Sequence, residues 1–174
     1  MDNIKRIAII GAPGSGKTTL AIRIENIFEL PVVFLDAFYQ LPNWVMRDPA
    51  ERDNLILEAA RKPEWILDGT FINTLEERVK VADLVIFLDF PTKIQLKGIF
   101  KRFFTNFGKE KIDMPGCKER INPSFINYVA TYNKKRRKYI IEILEKYDKS
   151  KQLHFTSQAE LDEWVKNLEK NNKK

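Results

Sequence analysis

The residues best suited to chemistry lie together near the start of the chain, in Gly11-Ala-Pro-Gly-Ser-Gly-Lys-Thr-Thr19. Gly11, Gly16, Lys17 and Thr18 fill the pattern G-x-x-x-x-G-K-[ST] without a mismatch. Glycines in such a loop take backbone angles closed to other residues and turn amide groups into a concavity that suits phosphate oxygens. A helix opening near Lys17 aims its positive end at the same point. The loop Gly11, Ala12, Pro13, Gly14, Ser15, Gly16, Lys17, Thr18 and Thr19 is therefore expected to hold the phosphates of ATP. Lys17 would reach the β- and γ-phosphates, and the Thr18 hydroxyl would ligate Mg²⁺. The glycine spacing 11-x-x-14-x-16 differs from the dinucleotide fingerprint G-x-G-x-x-G.

Phosphoryl transfer needs positioning and charge neutralisation more than covalent chemistry. A second metal-holding carboxylate belongs at a strand end, where Asp68 and Asp89 both stand. Asp68 is preferred because Gly69 leaves backbone space beside it, while Asp89, just before Phe90-Pro91, reads more simply as a turn residue. Asp36 ends another apolar run; it would deprotonate a hydroxyl acceptor, or orient an acceptor that is already a phosphate. Arg47 and Arg78 carry the forked cation that suits an anionic acceptor. Arg102 and Arg136 are the candidate cations for the transferring group, from Lys101-Arg102 and the basic run Lys134–Lys138. Most of that run is expected to be a solvated helix face. Trp44, with Phe38 and Tyr39, lines an acceptor pocket or packs in the core. His154 reads as packing, and Cys117 has no partner cysteine and no role.

These side chains need a scaffold that gathers strand ends at one edge. Short apolar runs at Arg6–Ile10, Val32–Leu35, Trp65–Leu67, Leu84–Leu88 and Gln152–Phe155 alternate with helical patterns, as in a parallel sheet covered on both faces. Helices are expected after the phosphate loop, from Asp48-Pro49 to about Arg61, around Arg78, from Thr92, from about Phe125 to Tyr147, and from the capping box Ser157-x-x-Glu160. The Thr92 helix carries Leu96, Ile99, Phe100, Phe103, Phe104 and Phe107 at spacings of three and four. The segment from Gly108 to Pro123 reads as irregular, and with its flanking helices as a lid, spanning about 101–137. The terminal Lys170–Lys174 stretch is expected to fray.

The 174 residues suit one domain, 1–174, with a sizeable core. The net charge of +6 is uneven: residues 1–92 carry 10 Lys+Arg against 14 Asp+Glu, and residues 93–151 carry 16 against 6. Such a basic block fits a nucleotide's phosphates or a nucleic-acid backbone, although no nucleic-acid-reading motif is present. No secretory leader or run of about 20 apolar residues stands out, so a cytoplasmic protein without a membrane partner is the simplest expectation.

Several strings together, Phe34-Leu-Asp36 with Pro42-x-Trp44, Trp65-Ile-Leu-Asp-Gly69, Ala82-Asp-x-x-Ile-Phe-Leu-Asp-Phe-Pro91 and Asp113-Met-x-Gly-Cys117, resemble the bacterial DNA topology modulation protein family. That family is related to adenylate kinase and other P-loop nucleoside and nucleotide kinases. The resemblance runs from about Ile4 to Leu168. It implies a three-layer P-loop NTPase fold of the α/β class: a five-stranded parallel sheet in the order 2-3-1-4-5, helices on both faces and a helical lid. It also implies Asp68 as the Mg²⁺ organiser and Arg78 as an acceptor-binding arginine. Arg102, Arg136 and Arg137 fall near the lid-flanking arginines. The chain departs from the family pattern at Thr92-Lys93, Lys111-Ile112 and Thr70-Phe71. The expected activity is ATP- and Mg²⁺-dependent transfer of the γ-phosphoryl to a nucleotide, nucleoside or similar small acceptor. The alternatives are a nucleotide-regulated DNA-binding protein and a slow ATPase switch.

Overall fold

The computed structural model describes residues 4–172. Five parallel strands, β1 (Arg6–Gly11), β2 (Val32–Phe34), β3 (Trp65–Asp68), β4 (Leu84–Leu88) and β5 (Gln152–Phe155), form one sheet in the order β2-β3-β1-β4-β5. This is the order expected, 2-3-1-4-5. In register, Ile9 lies opposite Asp68 on one side and Ile86 on the other. Strand β1 is thus central, and the strand on each side ends level with the phosphate loop.

Alternation along the strands splits the core in two. Ala8, Ile10, Leu67, Val85 and Phe87 face helices α2 (Pro49–Ala60), α3 (Leu75–Val81) and the Tyr132–Leu144 stretch. Ile7, Ile9, Ile66, Ile86 and Leu88 face α1 (Lys17–Phe28) and the last helix, Gln158–Asn171. Near-continuous apolar strands therefore serve two helical layers.

Local signals act as expected at the helix starts. Asp48 caps α2 by accepting from Ala50 N and Glu51 N at 2.9 and 3.1 Å, with Pro49 in the first turn. The Ser157–Glu160 capping box is formed in both directions. The final helix continues through Asn171, so Lys170 and Asn171 are helical rather than frayed. Lys173 and Lys174 lie outside the described residues.

One expectation changes. The segment between Gly108 and Pro123 is not irregular: Glu110–Lys111 pairs antiparallel with Met114–Lys118 in a short hairpin. It joins α4 (Thr92–Asn106) to α5 (Pro123–Tyr132), which runs through a π-helical turn, Asn133–Arg137, into α6 (Lys138–Leu144). Most of the aromatic stripe of α4 lies at the surface. Ile99 is buried, but Phe100, Phe104 and Phe107 are exposed. The inward face of α4 is instead made by buried Gln95 and Ile99 with the half-buried Gly98, and it packs on the phosphate loop. A Cβ on Gly98 would lie 2.2 Å from Gly14 O, and one on Gly14 would lie 2.2 Å from Gln95 O. Two glycines let helix and loop touch backbone to backbone. No described helix is long and apolar enough to cross a membrane.

Candidate active site

The phosphate loop leaves β1 at Gly11 and turns into α1 through Gly14 and Gly16, whose φ values are 79° and 92°. Gly16 has open space where a Cβ would sit, so glycine is needed there for its backbone angle alone. Thr70, on the loop after β3, staples the turn: its Oγ1 donates to Gly11 O at 2.7 Å and accepts from Gly11 N at 2.9 Å. Lys17 Nζ donates to Ala12 O at 3.0 Å, and the buried Ser15 Oγ has no hydrogen-bond partner among the described residues. The loop thus offers an ammonium and an unsatisfied hydroxyl beside a helix N-terminus, as a phosphate site requires.

The two expected metal ligands meet. Thr18 Oγ1 donates to Asp68 Oδ2 at 2.6 Å, which joins the start of α1 to the end of β3. Burial pushes the Asp68 carboxyl up to about 6, against the opposing pull of Lys17 and the Thr18 hydrogen bond. A hydroxyl and a buried carboxylate beside a phosphate loop fit Mg²⁺, an oxygen-seeking ion that phosphates and water would complete. Among the described residues no group of three His, Cys, Asp or Glu side chains gathers to hold a metal. Asp89 is engaged elsewhere. Arg137 binds it through Nε at 2.8 and 2.9 Å and Nη2 at 2.8 Å, and His154 Nε2 lies 2.9 Å from it. That cluster ties the π-helical turn to β4 and β5. Of the basic run, Arg136 lines the cleft, and all five residues are exposed.

A cleft of about 1670 Å³ opens over Lys17, Thr18, Asp68 and Asp36 and extends under the hairpin. Part of Asp36 is open to this cleft, but its carboxyl is deep enough for desolvation, then Asp113, to raise its pKa; Lys17, Lys111 and Arg102 pull it back. The hairpin therefore stands close over Asp36 in this structure. It is seated on the 40–46 turn: a Cβ on Gly116 would meet Pro42 Cβ at 2.8 Å, Cys117 Sγ donates to Leu41 O at 3.4 Å, and the Arg120 guanidinium lies 4.3 Å from the Trp44 ring centre. Trp44 and Tyr39 line the cleft, while Phe38 packs against the core.

The expected acceptor arginines lie elsewhere. Arg78 is fully buried; it donates to Gly69 O at 2.9 Å, Thr70 O at 2.6 Å, Phe71 O at 3.1 Å and Thr74 Oγ1 at 3.3 Å. It braces the loop behind the cleft instead of facing an acceptor, because one helical turn of α3 points it at those carbonyls. Arg47 Nε donates to Phe38 O at 3.0 Å, its guanidinium pairs with Glu51, and it does not line the cleft. Arg102 does line the cleft, with Nε 2.9 Å from Glu119 Oε2 but off the hydrogen-bond direction.

Sequence reasoning missed Arg52, Lys111, Asp113, Glu119 and Tyr128, all of which line the cleft. Arg52 lies over the Tyr39 and Phe71 rings at 5.8 and 5.3 Å and pairs with Asp53 at 2.6 Å. Lys111 Nζ is almost wholly buried, 3.1 Å from Asp113 Oδ1 and 3.6 Å from Glu119 Oε2. The signals for that trio were four charges within residues 111–119 of an irregular-looking stretch and the family-like string that opens at Asp113.

No protein-family model matches the chain. It is 29% identical over 133 residues to "Uncharacterized protein YqaC" of Bacillus subtilis (strain 168), covering 74% of this chain and 73% of that one. Among solved structures it is similar to a shikimate kinase from Acinetobacter baumannii in complex with shikimate, at TM-score 0.58 and 13% identity over 96% of this chain and 92% of that chain. It is also similar to a shikimate kinase from Bacteroides thetaiotaomicron, at TM-score 0.60 and 15% identity over 99% and 100% of the two chains. At these identities the likeness is one of fold: the chain has the P-loop α/β fold that those kinases share.

Proposed function

We propose that the protein is an ATP- and Mg²⁺-dependent kinase that moves the γ-phosphoryl to a small acceptor bound beside Asp36. The observation that carries this reading is the 2.6 Å contact between Thr18 and Asp68 next to Lys17, opening on the cleft that Asp36 also lines. The loop amides and Lys17 would cradle the phosphates, and Thr18 with ionised Asp68 would hold Mg²⁺, which when bound neutralises phosphate charge. Lys17 would then follow the charge that develops on the transferring group, with Arg102 and Arg136 the lid-side cations for the same task. The hairpin stands over the cleft, and shielding of the site from water there would favour transfer to the acceptor over hydrolysis. The shikimate kinase likeness supports this reading at the level of the fold.

The test is ADP formation with Mg²⁺ and ATP against nucleosides, nucleoside monophosphates and small hydroxyl compounds. Acceptor-dependent turnover that falls at least about a hundredfold in Lys17→Ala, the scale of losing one preorganised charge, is the expected result. Turnover indifferent to every acceptor would overturn the kinase reading and leave a hydrolytic switch.

A further inference from the structure

We propose that Gln95 and Asn133 are positioning residues for Arg136: they hold the π-helical turn in register with the phosphate loop, so that the turn aims one guanidinium into the cleft. The inference rests on the kinase reading and adds the device that holds a lid-side cation in place. Two successive arginines of this turn go to different places. Arg136 lines the cleft, where its charge is felt by Tyr128 and Tyr132. Arg137 does not line it and instead grips Asp89, just past the end of β4, with Nε 2.8 and 2.9 Å from the two carboxylate oxygens.

At the other end of the turn, Asn133 Nδ2 donates to Phe90 O at 3.0 Å, and Asn133 Oδ1 accepts from Gln95 Nε2 at 2.8 Å. Gln95 Nε2 also donates to Phe90 O, at 2.6 Å. The first and last residues of the turn are thus bound to the adjacent residues Phe90 and Asp89. Positions four apart lie on nearly the same face of a helix, and the residue one step earlier projects to the side. Fixing Asn133 and Arg137 beyond the end of β4 therefore fixes the rotation of the turn, and with it the direction in which Arg136 leaves. A clamp beneath a long, flexible side chain is what a preorganised cation requires.

Gln95 supplies the reference for the clamp. Its main-chain oxygen lies so close to the phosphate loop that a Cβ on Gly14 would be 2.2 Å away, while its side chain, 1% exposed, holds Asn133. One residue of α4 thus touches the loop with its backbone and the turn with its amide. Gln95 Oε1 is buried without a hydrogen-bond partner among the described residues, a cost that a leucine of similar size would avoid. The π-helical geometry points the same way. Such turns are rare and collect at functional sites, and this one, Asn-Lys-Lys-Arg-Arg, buries none of its residues, so core packing does not call for it.

The experiment is a double-mutant cycle on kcat in the full-length chain. ADP formation is followed with Mg²⁺, ATP and whichever of the nucleosides, nucleoside monophosphates and small hydroxyl compounds gives the highest kcat/KM. Arg136→Ala is expected to lower kcat at least about tenfold. Asn133→Ala and Gln95→Leu are each expected to lower kcat by a similar factor, with KM for ATP held within about threefold. Either change should cost less than about twofold more once Arg136 is alanine, a coupling that a merely structural role would not produce. Asp89→Asn, which slackens the other end of the clamp, takes their place in the cycle if the urea midpoints show them unfolded. Undiminished kcat in Arg136→Ala or in the clamp variants, or a loss as large without Arg136 as with it, overturns the inference and leaves the kinase reading standing. If no acceptor raises ADP formation above the Lys17→Ala background, the kinase reading falls and this inference with it.

Discussion

Replacing Arg78 with Met separates a structural arginine from a substrate-binding one. The guanidinium donates to three buried carbonyls, Gly69 O, Thr70 O and Phe71 O. Bonds from a charged donor are worth about 1.5–3 kcal/mol each, so their loss costs roughly 4.5–9 kcal/mol. Against this stands the relief of a desolvated cation. Burial lowers the Arg78 pKa from 12.5 to about 10, and 2.5 units at about 1.36 kcal/mol each return about 3.4 kcal/mol. Methionine keeps most of the volume, so no large cavity adds to the loss. The balance is a destabilisation of roughly 1–6 kcal/mol, read as a lower urea midpoint at unchanged slope. Acceptor KM should change only through the loosened 69–71 loop. A shift below about 0.5 kcal/mol, the scatter of ordinary surface substitutions, combined with a large rise in acceptor KM would refute the reasoning and return Arg78 to the acceptor site.

Other outcomes follow from single contacts. Gly98→Ala puts a Cβ 2.2 Å from Gly14 O, and backbone on both sides must shift; a loss of about 1–3 kcal/mol and weaker ATP binding by titration are expected, and unchanged affinity would show that the α4 contact does not hold the loop. Thr70→Val keeps the shape but strands Gly11 N–H and C=O, costing about 1–3 kcal/mol for each group, whereas Thr70→Ser should stay near wild type in thermal unfolding. Asp68 titrates near 6 rather than 3.8, so in the free protein its contribution to stability is full below pH 3.8 and is lost, by about 3 kcal/mol, as pH rises through 6. Because Mg²⁺ needs the ionised carboxylate, Mg²⁺-dependent nucleotide affinity should climb up to about pH 6 and level above it, with proton release seen by calorimetry; a flat profile would remove Asp68 from the metal site.

The sheet was legible because each apolar run is bounded by glycine, proline or a capping residue, and the phosphate loop because its spacing is tied to one backbone geometry. Thr18 and Asp68, 50 positions apart, could be paired because the helix that follows the phosphate loop and the end of the neighbouring strand lie at the same edge of the sheet. What could not be read is where long side chains point. Arg78 and Arg52 look alike in sequence, yet one donates inward to carbonyls and the other lies over two rings in the cleft. The packing of α4 was hidden for a related reason: phenylalanines at helical spacing are exposed, while Gly98 and Gln95, which carry no apolar signal, make the contact with the loop. The hairpin at 110–118 escaped because strands of two and five residues are too short to show alternation.

The central claim is transfer of a phosphoryl group at the Lys17–Thr18–Asp68 cluster. It is tested most directly by following the label from γ-phosphate-labelled ATP in the presence of Mg²⁺ and, in turn, nucleosides, nucleoside monophosphates and small hydroxyl compounds. The account predicts label on the acceptor in step with ADP formed, lost in Lys17→Ala although that variant unfolds at the wild-type midpoint. Label that appears only as inorganic phosphate, or transfer that persists without Lys17, would contradict it.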